Sequence, residues 1–174
     1  MRTYTKTAVG TFSDGSRSRY DDGMPRSEAF IDVQLLDRPA VCIALKPFPA
    51  EAGGECIFLG RTRHETHPQH GRLIRLSYEA YVPMAEGLLR ELAQQAIDRF
   101  DCLAVRIHHS VCEVPVGEAS VLVQVACGHR AAAFEACRFL IDQLKSEAPI
   151  WKREMWADGS TWSAGTPVAA AEKA

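Results

Sequence analysis

Two lysines, Lys145 and Lys152, flank a proline in the segment Leu144-Lys145-Ser146-Glu147-Ala148-Pro149-Ile150-Trp151-Lys152-Arg153-Glu154. A helix cannot run on through Pro149, because its ring removes a backbone donor and crowds the preceding turn. Lys145 is therefore expected in the last turn of a helix, with Lys152 on the chain that leaves it. Such a bend can bring two ammonium groups to one pocket, where each disfavours the other's charge. A lysine perturbed in this way serves as an acid, a base or a nucleophile. Taken alone, the spacing better fits a solvated basic helix end that complements the helix dipole, since lysines are mostly surface residues.

Three other places could carry chemistry. Gly60-Arg61-Thr62-Arg63 is a basic loop leaving a buried strand, where ligands often bind but where arginines are more often merely solvated. Gly128-His129-Arg130 precedes a helix, and a helix N-terminus offers free donors to an anion that Arg130 could grip bidentately. An ordinary surface helix start reads the same way. His64, His67 and His70 share one loop, yet no cysteine or paired carboxylate completes a tetrahedral metal set, so no metal site is expected. His108 and His109 are adjacent on a strand and must point to opposite faces, so at most one can serve a given site.

The elements that must hold these residues follow from length and pattern. A chain of 174 residues accommodates one domain with a sizeable core. Its net charge of -2 gives no electrostatic footprint for nucleic acid. No apolar run approaches a membrane span and the N-terminus lacks a signal-peptide core, so no membrane partner and a cytoplasmic location are expected. The six cysteines, Cys42, Cys56, Cys102, Cys112, Cys127 and Cys137, are scattered and look buried, which fits a reducing compartment. Residues 1–28 read as a flexible arm, 29–162 as the domain, and 163–174 as a frayed tail.

Strands are expected over 29–36, 41–45, 55–59, around Ile74-Leu76-Tyr78, over 105–109 and over 120–127. Pro83 opens a helix whose inward face is Met84, Leu88, Leu92 and Ala96. A second helix follows Arg130 with the stripe Phe134, Cys137, Ile141 and Leu144, leaving Lys145 just off the buried edge. The order strands, helix, strands, helix predicts an α+β domain with a mainly antiparallel sheet and two principal helices.

These residues resemble a known family. Phe58-Leu59-Gly60-Arg61-Thr62-Arg63, Tyr78-Glu79-Ala80-Tyr81 with Met84, and Val116-Gly117-Glu118 match it. So do Gly128-His129-Arg130 with Ala133-Phe134-Glu135-Ala136, Ile141-Asp142-Gln143-Leu144-Lys145, and Pro149-Ile150-Trp151-Lys152-Arg153-Glu154 with Asp158-Gly159 and Trp162. In this order they are similar to the large, catalytic subunit of molybdopterin synthase, the MoaE family, over residues 41–162. The resemblance implies an α/β-hammerhead domain that dimerises and binds two copies of a small ubiquitin-like sulfur-carrier subunit, giving a heterotetramer. That partner's C-terminal Gly-Gly thiocarboxylate delivers sulfur to cyclic pyranopterin monophosphate, giving the dithiolene molybdopterin, with no bound cofactor. By resemblance Lys145 and Lys152 match the catalytic lysines. Arg63, His129 and Arg130 match the contacts to phosphate and pterin, with Arg61, Thr62, Arg153 and Glu154 beside them.

The chain departs from the family in three places. Residues 47–54 are too short for a helix that members usually carry there. His109-Ser110-Val111-Cys112 stands where His-Arg followed by Gly is common, and the arm before Ala29 is additional. Two rival functions remain open on the residues alone. One is an idle scaffold that binds a pterin or a ubiquitin-like partner. The other is a sulfurtransferase carrying persulfide on its own cysteine, with Cys127 beside Gly128 the best placed.

Overall fold

A computed structural model of the chain describes residues 29–163, so the arm expected over 1–28 and the tail beyond Ser163 lie outside the described residues. The described elements are β1 (Phe30–Leu36), β2 (Gly54–Arg61), β3 (Thr66–His67), β4 (Gly71–Ala80), α1 (Val82–Phe100) and β5 (Cys102–Ser110). They continue with β6 (Glu113–Pro115), β7 (Ala119–Cys127), α2 (Arg130–Glu147), β8 (Ile150–Trp156) and β9 (Ser160–Trp162). The architecture is α+β, as expected. Among the described residues only the β1–β5 pair is parallel, and the other strand pairs are antiparallel.

Two sheets divide the labour. The first has the order β1-β5-β7-β2. Its central strands β5 and β7 are buried nearly end to end, which explains their almost unbroken apolar runs. On one face Val33, Val105, Ile107, Val123 and Val125 pack against both helices. Residues 37–53 cover the other face, where Leu45 packs on Ala104 and Ala126. The second sheet runs β3-β4-β8-β9, with β6 also paired to β4. It has a smaller core of Leu73, Leu76 and Trp156.

Several expectations are corrected here. Val41–Leu45 is not a strand, although its apolar residues alternate. Arg106 reaches across the sheet to the carbonyls of Ile43 (3.1 Å) and Ala44 (3.5 Å), acceptors that a neighbouring strand would otherwise take. Of the three apolar residues only Leu45 is buried; Val41 and Ile43 are exposed.

Both helical stripes have the right period and most of the right face, but the first residue of each is misplaced. α1 buries Ala85, Leu89, Leu92, Ala93 and Ala96 while Met84 is exposed. α2 buries Ala133, Ala136, Cys137, Leu140, Ile141 and Leu144 while Phe134 faces out. Small residues let the helices approach the sheet closely, so several contact positions are alanines rather than the largest apolar side chains. The cysteines are not uniformly buried either: Cys42 is exposed, and Cys56 and Cys112 are half-buried.

The short segment before β2 forms no helix. Where the family commonly has Arg, the Ser110 hydroxyl is buried and donates to the Arg38 carbonyl (2.9 Å).

Candidate active site

α2 ends as its sequence requires. Ala148, held extended before Pro149, is the C-cap and donates its N–H to the Leu144 carbonyl. The chain turns directly into β8, a strand the apolar pattern did not reveal because Lys152, Arg153 and Glu154 interrupt it. β8 pairs with β4 so that Lys152 stands opposite Tyr78 and Glu154 opposite Leu76.

The result is a cleft of about 850 Å³ between the two sheets and the C-terminal end of α2. Lys145 and Lys152 both line it, with Arg61, Arg63, Tyr78, His109, Ser120 and Glu154. Lys145 is exposed, while Lys152 is half-buried and pairs with Glu154 (Nζ to Oε1 3.4 Å). Arg61 extends from the end of β2 and donates to the Gly117 carbonyl (2.9 Å). Arg63 is highly exposed and forms an ion pair with Glu65.

The remaining predicted site residues do not line this cleft. Thr62 is buried, and its hydroxyl donates to the Val114 carbonyl (3.3 Å), stitching the end of β2 to β6. Strand alternation turns Arg153 away from Lys152 and Glu154. Its guanidinium donates to Ser160 Oγ (2.7 Å) and lies over the Trp162 ring.

His129 and Arg130 sit at the opposite end of α2. Fifteen residues at about 1.5 Å each put that end roughly 22 Å from Lys145. There His129 is an extended N-cap whose side chain makes no cap hydrogen bond, and both residues are exposed. The entry to β2 presses against them. A Cβ on Gly54 would come within 3.0 Å of the Arg130 backbone, and one on Gly53 within 2.5 Å of the Gly128 carbonyl oxygen. Those two glycines are needed for close approach.

The floor of the cleft was missed by sequence reasoning. Tyr78 donates to Ser120 Oγ (3.1 Å), Ser120 to the Gly60 carbonyl (3.4 Å), and the Tyr78 ring meets His109 edge-on at 5.1 Å. Burial pushes the Tyr78 phenol above its ordinary pKa. Burial likewise holds the His109 imidazole below its ordinary value, against the pull of its hydrogen bond to the Ser110 carbonyl. Strand alternation from Leu76 to Tyr78 was the one available signal.

Among the described residues no group of three or more His, Cys, Asp or Glu is placed to hold a metal ion. His67 and His70 instead stack on each other, with His67 against Trp156. Cys127 is fully buried, and its thiol donates to Cys102 Sγ at 3.3 Å. A persulfide carrier needs an accessible sulfur, so this geometry disfavours Cys127 in that role.

A family model described as MoaE protein matches residues 33–147. The chain belongs to the MoaE family. The molybdopterin synthase catalytic subunit of Arabidopsis thaliana is 41% identical over 112 residues, 64% of this chain and 56% of that protein. The catalytic subunit from Pyrococcus abyssi is 40% identical over 117 residues, 67% of this chain and 77% of that protein. The chain thus spans little more than half the length of the plant relative. The crystal structure of molybdopterin synthase from Staphylococcus aureus superposes with a TM-score of 0.65 at 28% identity, covering 75% of this chain and 94% of that one. In this MoaE-family chain, Lys152 and all of β8 lie beyond the residues that the family model matches. The pairing of β8 with β4 places them at the cleft.

Proposed function

We propose that this chain is the catalytic subunit of a molybdopterin synthase, acting in molybdenum cofactor biosynthesis. Its substrates are cyclic pyranopterin monophosphate and the C-terminal thiocarboxylate of a small ubiquitin-like subunit. The observation that carries this reading is the single cleft in which Lys145, Lys152, Arg61 and Arg63 converge. Both substrates are anions, and a cleft lined by four cations against two carboxylates, Glu65 and Glu154, suits them.

In this reading Lys145, exposed and free to move, is the acid, base or covalent participant. Lys152, restrained by Glu154, orients and stabilises the thiocarboxylate or the phosphate. The pterin enters as substrate, and the reaction calls for no resident cofactor or metal. Among the described residues no helix is long and apolar enough to cross a membrane, which accords with a cytoplasmic enzyme.

His129 and Arg130 enter through a second copy of the chain. A span of roughly 22 Å is too long for one phosphate to touch both ends of α2. In a two-fold dimer, the N-terminal end of one α2 supplies the anion contact at its partner's cleft. With a small subunit on each protomer the assembly is a heterotetramer. Thr62 and Arg153 act by holding the cleft's walls, since their polar groups are engaged within the fold.

The test is direct. The chain is incubated with thiocarboxylated small subunit and the cyclic pterin, and dithiolene product is measured. Product is expected with the wild type and not with Lys145→Ala. Pterin or partner binding without product would instead favour the scaffold reading.

A further inference from the structure

Three polar side chains at the cleft floor, Tyr78, Ser120 and His109, are used by neither the lysines nor the anion contacts. Their hydrogen-bond directions are informative. The Tyr78 hydroxyl donates to Ser120, the Ser120 hydroxyl donates to the Gly60 carbonyl, and His109 Nδ1 donates to the Ser110 carbonyl at 2.8 Å. Every donor in the trio is spent inside the protein. What remains is lone pairs on two hydroxyl oxygens and on His109 Nε2.

We propose that Tyr78, Ser120 and His109 form an acceptor-only subsite that binds the N–H edge of the substrate's heterocycle. The inference rests on the synthase reading and deepens it. His109 and Ser120 are 5% and 6% exposed, so their free lone pairs meet little water. A phosphate offers no donors and meets three lone pairs, which leaves it at the cationic rim. A pterin presents its amino group beside the ring N3–H on one edge, which suits a compact set of acceptors. The partner's extended tail fits less well, because successive N–H groups of an extended chain point to opposite sides. The edge-on Tyr78 ring fixes the imidazole plane and so aims Nε2.

The experiment titrates the full chain with unsubstituted pterin, followed by its fluorescence, and separately with inorganic phosphate. Wild type, His109→Phe, His109→Gln and Tyr78→Phe are compared. Losing one such hydrogen bond should weaken pterin binding about tenfold in His109→Phe and in Tyr78→Phe. Phosphate affinity should stay unchanged, and His109→Gln, which restores an acceptor, should recover part of the loss.

Thermal melts identify a variant that has not folded, and Tyr78→Phe removes a single oxygen, so at least one informative variant remains. The proposal is overturned if the folded variants bind pterin like the wild type, or if the wild type binds none. It is also overturned if the loss falls equally on phosphate, or on the thiocarboxylated partner instead of the pterin. Pterin binding needs no turnover. The expected binding pattern without dithiolene product would therefore sink the synthase reading alone, and product without the pattern would sink the floor alone.

Discussion

The two ends of α2 carry similar chemistry in different surroundings. At its C-terminal end Lys145 shares a walled cleft with Lys152, Arg61 and Arg63. At its N-terminal end His129 and Arg130 are exposed beside a glycine-tight turn, and they do not line that cleft. Basic residues at both ends read alike along the chain. The fold makes one end a site by itself, and leaves the other a contact that needs a second molecule to become part of one.

The sharpest way to break this comparison is to remove each end in turn. Lys145→Ala should lower kcat for dithiolene formation by about a hundredfold or more, as loss of a proton-transfer group does, with small effect on KM. Arg130→Ala should act mainly on KM, by about tenfold, because it removes binding rather than chemistry. Mixed dimers of Lys145→Ala and Arg130→Ala chains decide which copy Arg130 serves. If it serves the partner, one cleft of each mixed dimer keeps both groups, and about half the wild-type kcat/KM returns at low substrate. If it serves its own chain, one cleft lacks Lys145 and the other lacks Arg130, so kcat/KM at low substrate does not rise above that of Arg130→Ala.

A smaller effect sharpens the same contrast through packing. Gly54→Val adds side-chain atoms where even a Cβ sits 3.0 Å from the Arg130 backbone, which cannot easily give way. It should destabilise the fold by about 1–3 kcal/mol, as overpacking does. Denaturant melts measure that loss. In the enzyme that remains folded, KM should rise as in Arg130→Ala while kcat at the Lys145 end is retained.

The Lys145 end was the more legible of the two in sequence, for a physical reason. Pro149 dictates a helix stop, and a stop fixes where the next residues begin. Lys152 was therefore placed near Lys145 before β8 was known to be a strand. β8 itself was hidden because it lines a polar cleft, so its alternation sets Lys152 and Glu154 against half-buried residues rather than a clear apolar face. The helices' period and most of each inward stripe were legible, but Met84 and Phe134 point outward while Ala85, Ala93 and Ala136 make close contacts. Val41–Leu45 misled because alternation records which side chains turn inward, not whether a strand lies alongside. There Arg106 takes the backbone acceptors. That the two ends of α2 cannot meet in one chain follows from helix length alone, and required only that His129 and Lys145 be put on the same helix.

The smallest effect concerns acid, and it separates the cleft end from the far face of the first sheet. His109, at the cleft floor, has its folded pKa lowered by burial. Between its unfolded and folded values the unfolded chain binds a proton that the folded chain refuses. Stability is therefore complete above about pH 6.5, the ordinary histidine value, and declines as pH falls through that window. Asp32 lies across the sheet. Burial works to raise its pKa, but hydrogen bonds from Arg106 (2.7 Å), Gln34 and His108 outweigh burial and hold it low. Its contribution is complete above the ordinary aspartate value, about 3.9, and is lost as pH falls from there through the depressed one. Melting temperature against pH should thus show two successive declines. His109→Phe should remove the upper decline and Asp32→Asn the lower. An upper decline that survives His109→Phe would mean that the cleft floor is not where the acid-sensitive histidine lies.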